Sequence, residues 1–170
     1  DASELPGRLA GINVLVVRGT EVSKAAFEAG SALNLVIRAG AGVKNIDVPT
    51  ASERGIYVAN CPGKNASAVA ELTFALIGSL DRRIPDGVAS LRAGRWEKNE
   101  FARAAGLRGR SLGILGLGYI GRAVVKIAHA YELSCFAWSR SLTAAKAAEL
   151  GVTRISTPGE LAKVSDIFSV

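Results

Sequence analysis

The chain has 170 residues, 49% of them hydrophobic, and a formal net charge of +6. That length and composition support one or two packed domains. No apolar run reaches the length of a membrane span, and no basic leader precedes one, so the reading is a soluble, cytoplasmic protein without a membrane partner. The basic residues are scattered and lack interleaved aromatics. Nucleic acid is therefore not expected as a partner, and small anionic ligands explain part of the charge more simply. Cys61 and Cys135 show neither CxxC nor metal-ligand spacing; they read as packed thiols in a reducing compartment, with no metal site. The chain starts at Asp1 and stops in what reads as a strand over residues 166–170, the pattern of a piece of a longer protein.

Residues 13–18 (NVLVVR) form a continuous apolar run, the pattern of a strand covered on both faces. Ser23 is placed to cap a short helix stopped by Gly30. A second buried strand, residues 35–38, opens into Ala39-Gly40-Ala41-Gly42. Asp47 caps the next helix, with Pro49 in its first turn and Gly55 past its end, and residues 56–59 make a third strand. Repeated βα steps of this kind predict a small parallel sheet with helices on its faces.

Residues 65–82 read as a helix of about 27 Å. Val69, Leu72, Phe74, Leu76 and Leu80 surround nearly its whole circumference, which predicts burial, here between two domains. Glu71 shares a polar stripe with Ser67 and Gly78. It reads either as a paired, buried carboxylate, which is preferred, or as a residue facing a crevice. A short helix over 86–93 is stopped by Gly94, and Trp96 follows in a loop of mixed charge.

Residues 111–122 (SLGILGLGYIGR) are an apolar strand pattern running straight into GxGxxG and then into a helix reaching Ala130. Gly116 allows the sharp turn, Gly118 has no Cβ to keep a phosphate from the backbone, and Gly121 lets the helix lie close on the strand. With Tyr119 and Ile120 they present the N–H groups and the positive end of the helix dipole to a dinucleotide diphosphate. The remaining pattern is a strand over 133–138, a helix over 143–150 closed by Gly151, and a strand over 152–155. A capping-box arrangement at Thr157-Pro158-Gly159-Glu160 then opens a helix before the last strand. The strand over 133–138, second in this unit, ends in Trp138-Ser139-Arg140-Ser141, with no carboxylate to hold a ribose 2′-OH. Ser139 and Arg140 would instead hold a 2′-phosphate, so NADP is favoured over NAD, unless Arg140 is simply a solvated surface residue.

The chain resembles the D-isomer-specific 2-hydroxyacid dehydrogenases, most closely their phosphoglycerate dehydrogenase branch. The resemblance rests on Val17-Arg18-Gly19-Thr20, Ile37-Arg38-Ala39-Gly40-Ala41-Gly42, Asn45-Ile46-Asp47, Asn60-Cys61-Pro62, Val69-Ala70-Glu71, Arg83-Ile84-Pro85, Gly94-Arg95-Trp96-Glu97 and the glycine motif. It implies a two-domain NAD(P)-dependent oxidoreductase with its active site in the cleft, acting on a small acidic substrate. The favoured substrate is 3-phosphoglycerate, at the first step of serine biosynthesis. By resemblance the amides of Ala41 and Gly42 receive the substrate carboxylate, which agrees with a glycine loop after a strand forming an anion nest. Arg18 and Arg38 end neighbouring strands and suit a substrate with both carboxylate and phosphate, unless each pairs with a nearby Asp. Asn65 would lie within reach of substrate or nicotinamide.

The expected fold class is α/β: a flavodoxin-like substrate-binding part over 1–64, and over 65–170 a truncated Rossmann doubly wound parallel sheet that includes the interdomain helix. The resemblance also implies a homo-oligomer formed through the coenzyme domain. This sequence departs from the family pattern at Lys44, where Asp is usual, at Tyr119, where Arg is frequent, and at Ser139, where an acid is usual. The family's catalytic Arg, Glu and His match segments beyond Val170, and the only histidine, His129, matches no catalytic position. The chain alone is therefore expected to be inactive. Alternative readings are a hydroxypyruvate or glyoxylate reductase and a nucleotide-sensing interaction protein resembling the C-terminal-binding corepressors.

Overall fold

In a computed structural model covering residues 1–170, the apolar runs of the first 65 residues become strands β1 (Val14–Val17), β2 (Leu35–Arg38) and β3 (Tyr57–Asn60). They are parallel and ordered β1-β2-β3, with Val14 beside Leu35 and Leu35 beside Tyr57. Helices α1 (Lys24–Ala29) and α2 (Val48–Glu53) connect them. Ser23 holds the cap position of α1 without a capping bond from its hydroxyl, whereas Asp47 accepts both the N–H and the hydroxyl of Thr50, at 3.2 and 2.8 Å. Gly55, with φ +68°, takes the left-handed turn after α2 that glycine adopts most easily.

The double-sided burial expected of the 13–18 run is not found. Parallel crossovers are right-handed as a rule, so two successive steps in one direction set both helices on the same face. Val17 and Val36 pack there with Ala26, Phe27 and Ala51. On the opposite face Val14, Val16 and Tyr57 are 50%, 62% and 78% exposed.

The chain divides after Asn65, and Ala66–Val170 forms a second unit. It opens with α3 (Ala66–Asp81), followed by α4 (Ile84–Arg92) and a single turn, α5 (Lys98–Phe101). Helix α4 begins two residues before the expected start, because Pro85 takes a first-turn position where its missing N–H costs nothing. Strands β4 (Ser111–Leu115), β5 (Ser134–Trp138), β6 (Thr153–Arg154) and β7 (Ile167–Ser169) alternate with α6 (Tyr119–Ala130), α7 (Ala144–Glu149) and α8 (Pro158–Lys163). The sheet is parallel, ordered β6-β5-β4-β7. The steps β4 to β5 to β6 run one way and the step to β7 returns across β4. That reversal covers both faces and leaves a switch point at the carboxyl end of β4. Leu112 and Ile114 on β4 are accordingly buried.

Helix α3 departs from its sequence pattern. It packs on α6 through Ala70 and Phe74, with Phe74 stacked on Tyr131 at 5.2 Å between ring centroids. Leu72, Leu76 and Leu80 remain exposed. One flanking helix covers one stripe, so apolar residues all round this helix do not produce burial all round. Glu71 is exposed and makes no ion pair or side-chain hydrogen bond, so the preferred reading of it as a paired, buried carboxylate is not met.

Candidate functional site

The turn from β4 into α6 has the geometry its glycines require. Gly116 has φ +105°, a conformation that side chains oppose. A Cβ on Gly121 would overlap the Gly116 carbonyl oxygen and come within 3.1 Å of its carbon, so this glycine is what lets the helix lie against the strand end. A Cβ on Gly118 would meet no protein atom within 4 Å. Gly118 is the N-cap of α6 and supplies no side-chain cap, while the N–H groups of Leu117, Gly118, Tyr119, Ile120 and Gly121 have no backbone acceptor. Consecutive free donors at the positive end of a twelve-residue helix fit a diphosphate. The Tyr119 side chain at the start of α6 is 65% exposed.

At the end of β5 the chain turns through Ser139–Leu142, closed by the Leu142 N–H donating to the Ser139 carbonyl at 3.1 Å and held by Arg154 Nε on the Leu142 carbonyl at 2.9 Å. Ser139, Ser141, Arg122 and Lys146 line one small pocket together with Leu117. Arg122 comes from α6 and Lys146 from α7. Arg140 is exposed, forms no ion pair and does not line this pocket. The positive charge expected from Arg140 is thus supplied there by Arg122 and Lys146, which helix periodicity alone does not bring to β5. Lys146 Nζ lies 2.6 Å from Glu149, and Arg122 Nε donates to the Leu117 carbonyl at 3.1 Å.

In the first unit, residues 39–42 leave the carboxyl end of β2. Asn60 Nδ2 donates to the Ala41 carbonyl at 2.6 Å, and the Cys61 N–H donates to the Gly40 carbonyl at 3.0 Å, so the end of β3 fastens the loop. Below it, Val22 bridges to Ile46, and Asn45 Nδ2 donates to the Thr20 carbonyl at 2.7 Å. The N–H groups of Ala41, Gly42 and Val43 have no backbone acceptor, and a Cβ on Gly42 would meet no protein atom within 4 Å. That is an anion-accepting backbone.

Arg18 directly follows β1 and Arg38 ends β2; the two strands are neighbours, and neither arginine has a carboxylate partner. The Asp pairing considered for them does not occur; Asp47 is occupied in capping Thr50. Lys44 is exposed and unpaired, adding a third positive charge near the loop. Asn65 is exposed just before α3 and makes no side-chain hydrogen bond. His129 is exposed late on α6, and its ring lies against Gly151, where an added Cβ would come within 2.8 Å of Cε1. Cys135 is buried, which pushes its thiol pKa up, and Cys61 is half-buried beside the Gly40 carbonyl it binds through its N–H.

The family model described as D-isomer specific 2-hydroxyacid dehydrogenase, catalytic domain, matches residues 1–164. The chain belongs to this family. Among curated relatives, it is 38% identical over 168 residues to the D-3-phosphoglycerate dehydrogenase of Methanocaldococcus jannaschii, covering 98% of this chain and 32% of that protein. It is 42% identical over 128 residues to the hydroxypyruvate reductase of Thermotoga maritima, covering 75% of this chain and 42% of that one. Of solved structures, the acyclic imino acid reductase Bsp5 in complex with NADPH and D-Arg superposes with a TM-score of 0.85 at 29% identity, over 99% of this chain and 53% of that one. The TT0316 protein of Thermus thermophilus superposes with a TM-score of 0.87 at 29% identity, over 98% and 52%. The chain thus spans about a third to two fifths of these curated relatives and about half of these solved chains.

Proposed function

We propose that the chain carries the acid-binding loop and the coenzyme-binding loop of an NAD(P)-dependent 2-hydroxyacid dehydrogenase whose substrate is 3-phosphoglycerate. The observation that carries this reading is the pair of guanidiniums, Arg18 and Arg38, without carboxylate partners at neighbouring strand ends beside a loop of free amides. A substrate with a carboxylate at one end and a phosphate at the other satisfies both the backbone donors and the two charges. The 38% identity to a D-3-phosphoglycerate dehydrogenase supports the same substrate. Hydroxypyruvate is the second reading, supported by the reductase relative at 42% identity.

When bound, the nicotinamide group donates or accepts hydride; the residues described here hold and orient the two ligands. Gly116 to Gly121 hold the diphosphate, with Gly118 the point of closest backbone approach. The pocket of Ser139, Ser141, Arg122 and Lys146 holds the 2′-phosphate, and Arg140 adds charge at its rim. NADP is therefore favoured over NAD, in keeping with the NADPH named for the imino acid reductase. No histidine stands at either loop, and the chain by itself binds ligands without turning them over. The protein self-associates through its coenzyme-binding unit.

Equilibrium titration of the chain with NADPH and NADH, followed by coenzyme fluorescence, tests the reading. NADPH binds at least tenfold more tightly, and Ser139→Asp reverses the order by repelling the 2′-phosphate and accepting a ribose hydroxyl. Tighter NADH binding by the unaltered chain would refute the preference, and binding of neither would refute the coenzyme site.

A further inference from the structure

The two glycines of the acid-binding loop are bare for different reasons. Space beyond Gly42 holds no protein atom, whereas a Cβ on Gly40 would overlap Nη1 of Arg38 and come within 2.6 Å of its Cζ. The Nη1 end of the Arg38 guanidinium therefore occupies the volume over Gly40 that any other side chain would fill. Its Nε is buried there and has no hydrogen-bond partner, and no carboxylate holds the group. A desolvated N–H without a partner is unfavourable, so no polar bond at that atom accounts for the position. The space it occupies exists because Gly40 has no Cβ.

The Gly40 backbone is tied on both sides, its N–H to the Arg38 carbonyl at 2.8 Å and its carbonyl to the Cys61 N–H at 3.0 Å. Its φ lies outside the left-handed region, so alanine can take the same backbone. The three atoms nearest a Cβ there all belong to the far end of one flexible side chain, that of Arg38.

We propose that Gly40 is a positioning residue for Arg38: its bare Cα is the seat that holds the guanidinium over the loop, beside the free amides of Ala41 and Gly42. The proposal rests on the reading of Arg38 as an anion ligand. It makes Gly40 matter for affinity although Gly40 itself offers the anion nothing.

The test titrates 3-phosphoglycerate onto the full chain and follows the amide resonances of Ala41 and Gly42. Arg38→Ala is expected to weaken binding tenfold or more, Gly40→Ala by a similar factor, and the double variant no further than Arg38→Ala alone. That non-additivity separates a seat for Arg38 from a general role in loop folding. Gly40→Ala binding like the unaltered chain, while Arg38→Ala loses affinity, overturns the proposal and leaves the substrate reading intact. Arg38→Ala binding normally, or no binding by the unaltered chain, overturns the substrate reading at this loop, and the proposal with it. A double variant weaker than Arg38→Ala also overturns the proposal, because Gly40 would then act without the guanidinium. Should Gly40→Ala lose its fold, recovery in the double variant would show the same contact, and failure to recover would refute it.

Discussion

At the scale of single residues, the glycines of the β4–α6 turn separate folding from binding. A methyl group on Gly121 strikes the Gly116 carbonyl, which is backbone and cannot swing aside. Gly121→Ala should therefore lose roughly 1–3 kcal/mol, as overpacking does, read by urea denaturation. A methyl on Gly118 meets no protein atom, so Gly118→Ala should keep its denaturation midpoint and lose at least tenfold in NADPH affinity. Equal stability of all three proteins would contradict the packing described for Gly121. The turn at Gly116 and the close packing at Gly121 were legible in the spacing of the motif, because each answers a local steric demand. The charges at the end of β5 were not. Arg140 sits next to Ser139 in sequence yet does not line the pocket, while Arg122 and Lys146 reach it from two separate helices. Only the packing of α6 and α7 against the sheet brings them there, and no period within either helix encodes it.

At the scale of elements, caps and stops read well and burial read poorly. Asp47 and Thr157 cap α2 and α8 as their spacing requires, each accepting a backbone N–H three residues on, though Glu160 returns no bond to complete the box at α8. The apolar runs of β1 and α3 overstated burial, because hydrophobic pattern reports what a face can bury and crossover direction decides what is there to cover it. The start of β7 is fixed by a cluster outside any motif. Ser111 donates its N–H and its hydroxyl to Asp166 at 2.8 and 2.7 Å, and these bonds hold the Asp166 carboxyl below the usual carboxylate range. A group with a depressed folded pKa adds stability above its unfolded value, about 3.9 for Asp, and loses that contribution as pH falls through the folded value. Asp166→Asn should thus be less stable than the unaltered chain at neutral pH, and the gap should close in acid. A gap independent of pH, measured by thermal melting, would show that the Asp166 charge adds nothing.

At the scale of the whole molecule, the fold class, two parallel α/β sheets, was legible from alternating strand and helix patterns, while the surface character was not. Leu72, Leu76 and Leu80 recur every four residues and form one exposed stripe on α3, and Trp96 is 77% exposed beyond α4. An exposed apolar stripe such as that on α3 favours association. Sedimentation should show a concentration-dependent dimer that Leu80→Lys shifts toward monomer without changing NADPH affinity, and a chain monomeric at all concentrations would count against self-association. No helix is long and apolar enough to cross a membrane. The loop after β2 belongs to the stretch closing at Asn65 and the glycine turn after β4 to the stretch opening at Ala66, each with its own packed interior. Under the function proposed above, a lineage built on this plan could exchange its reductant by altering a few side chains around β5, and its metabolite by altering a few around β2. Neither change need wait for the other, so new reactions become reachable by separate, individually tolerable steps.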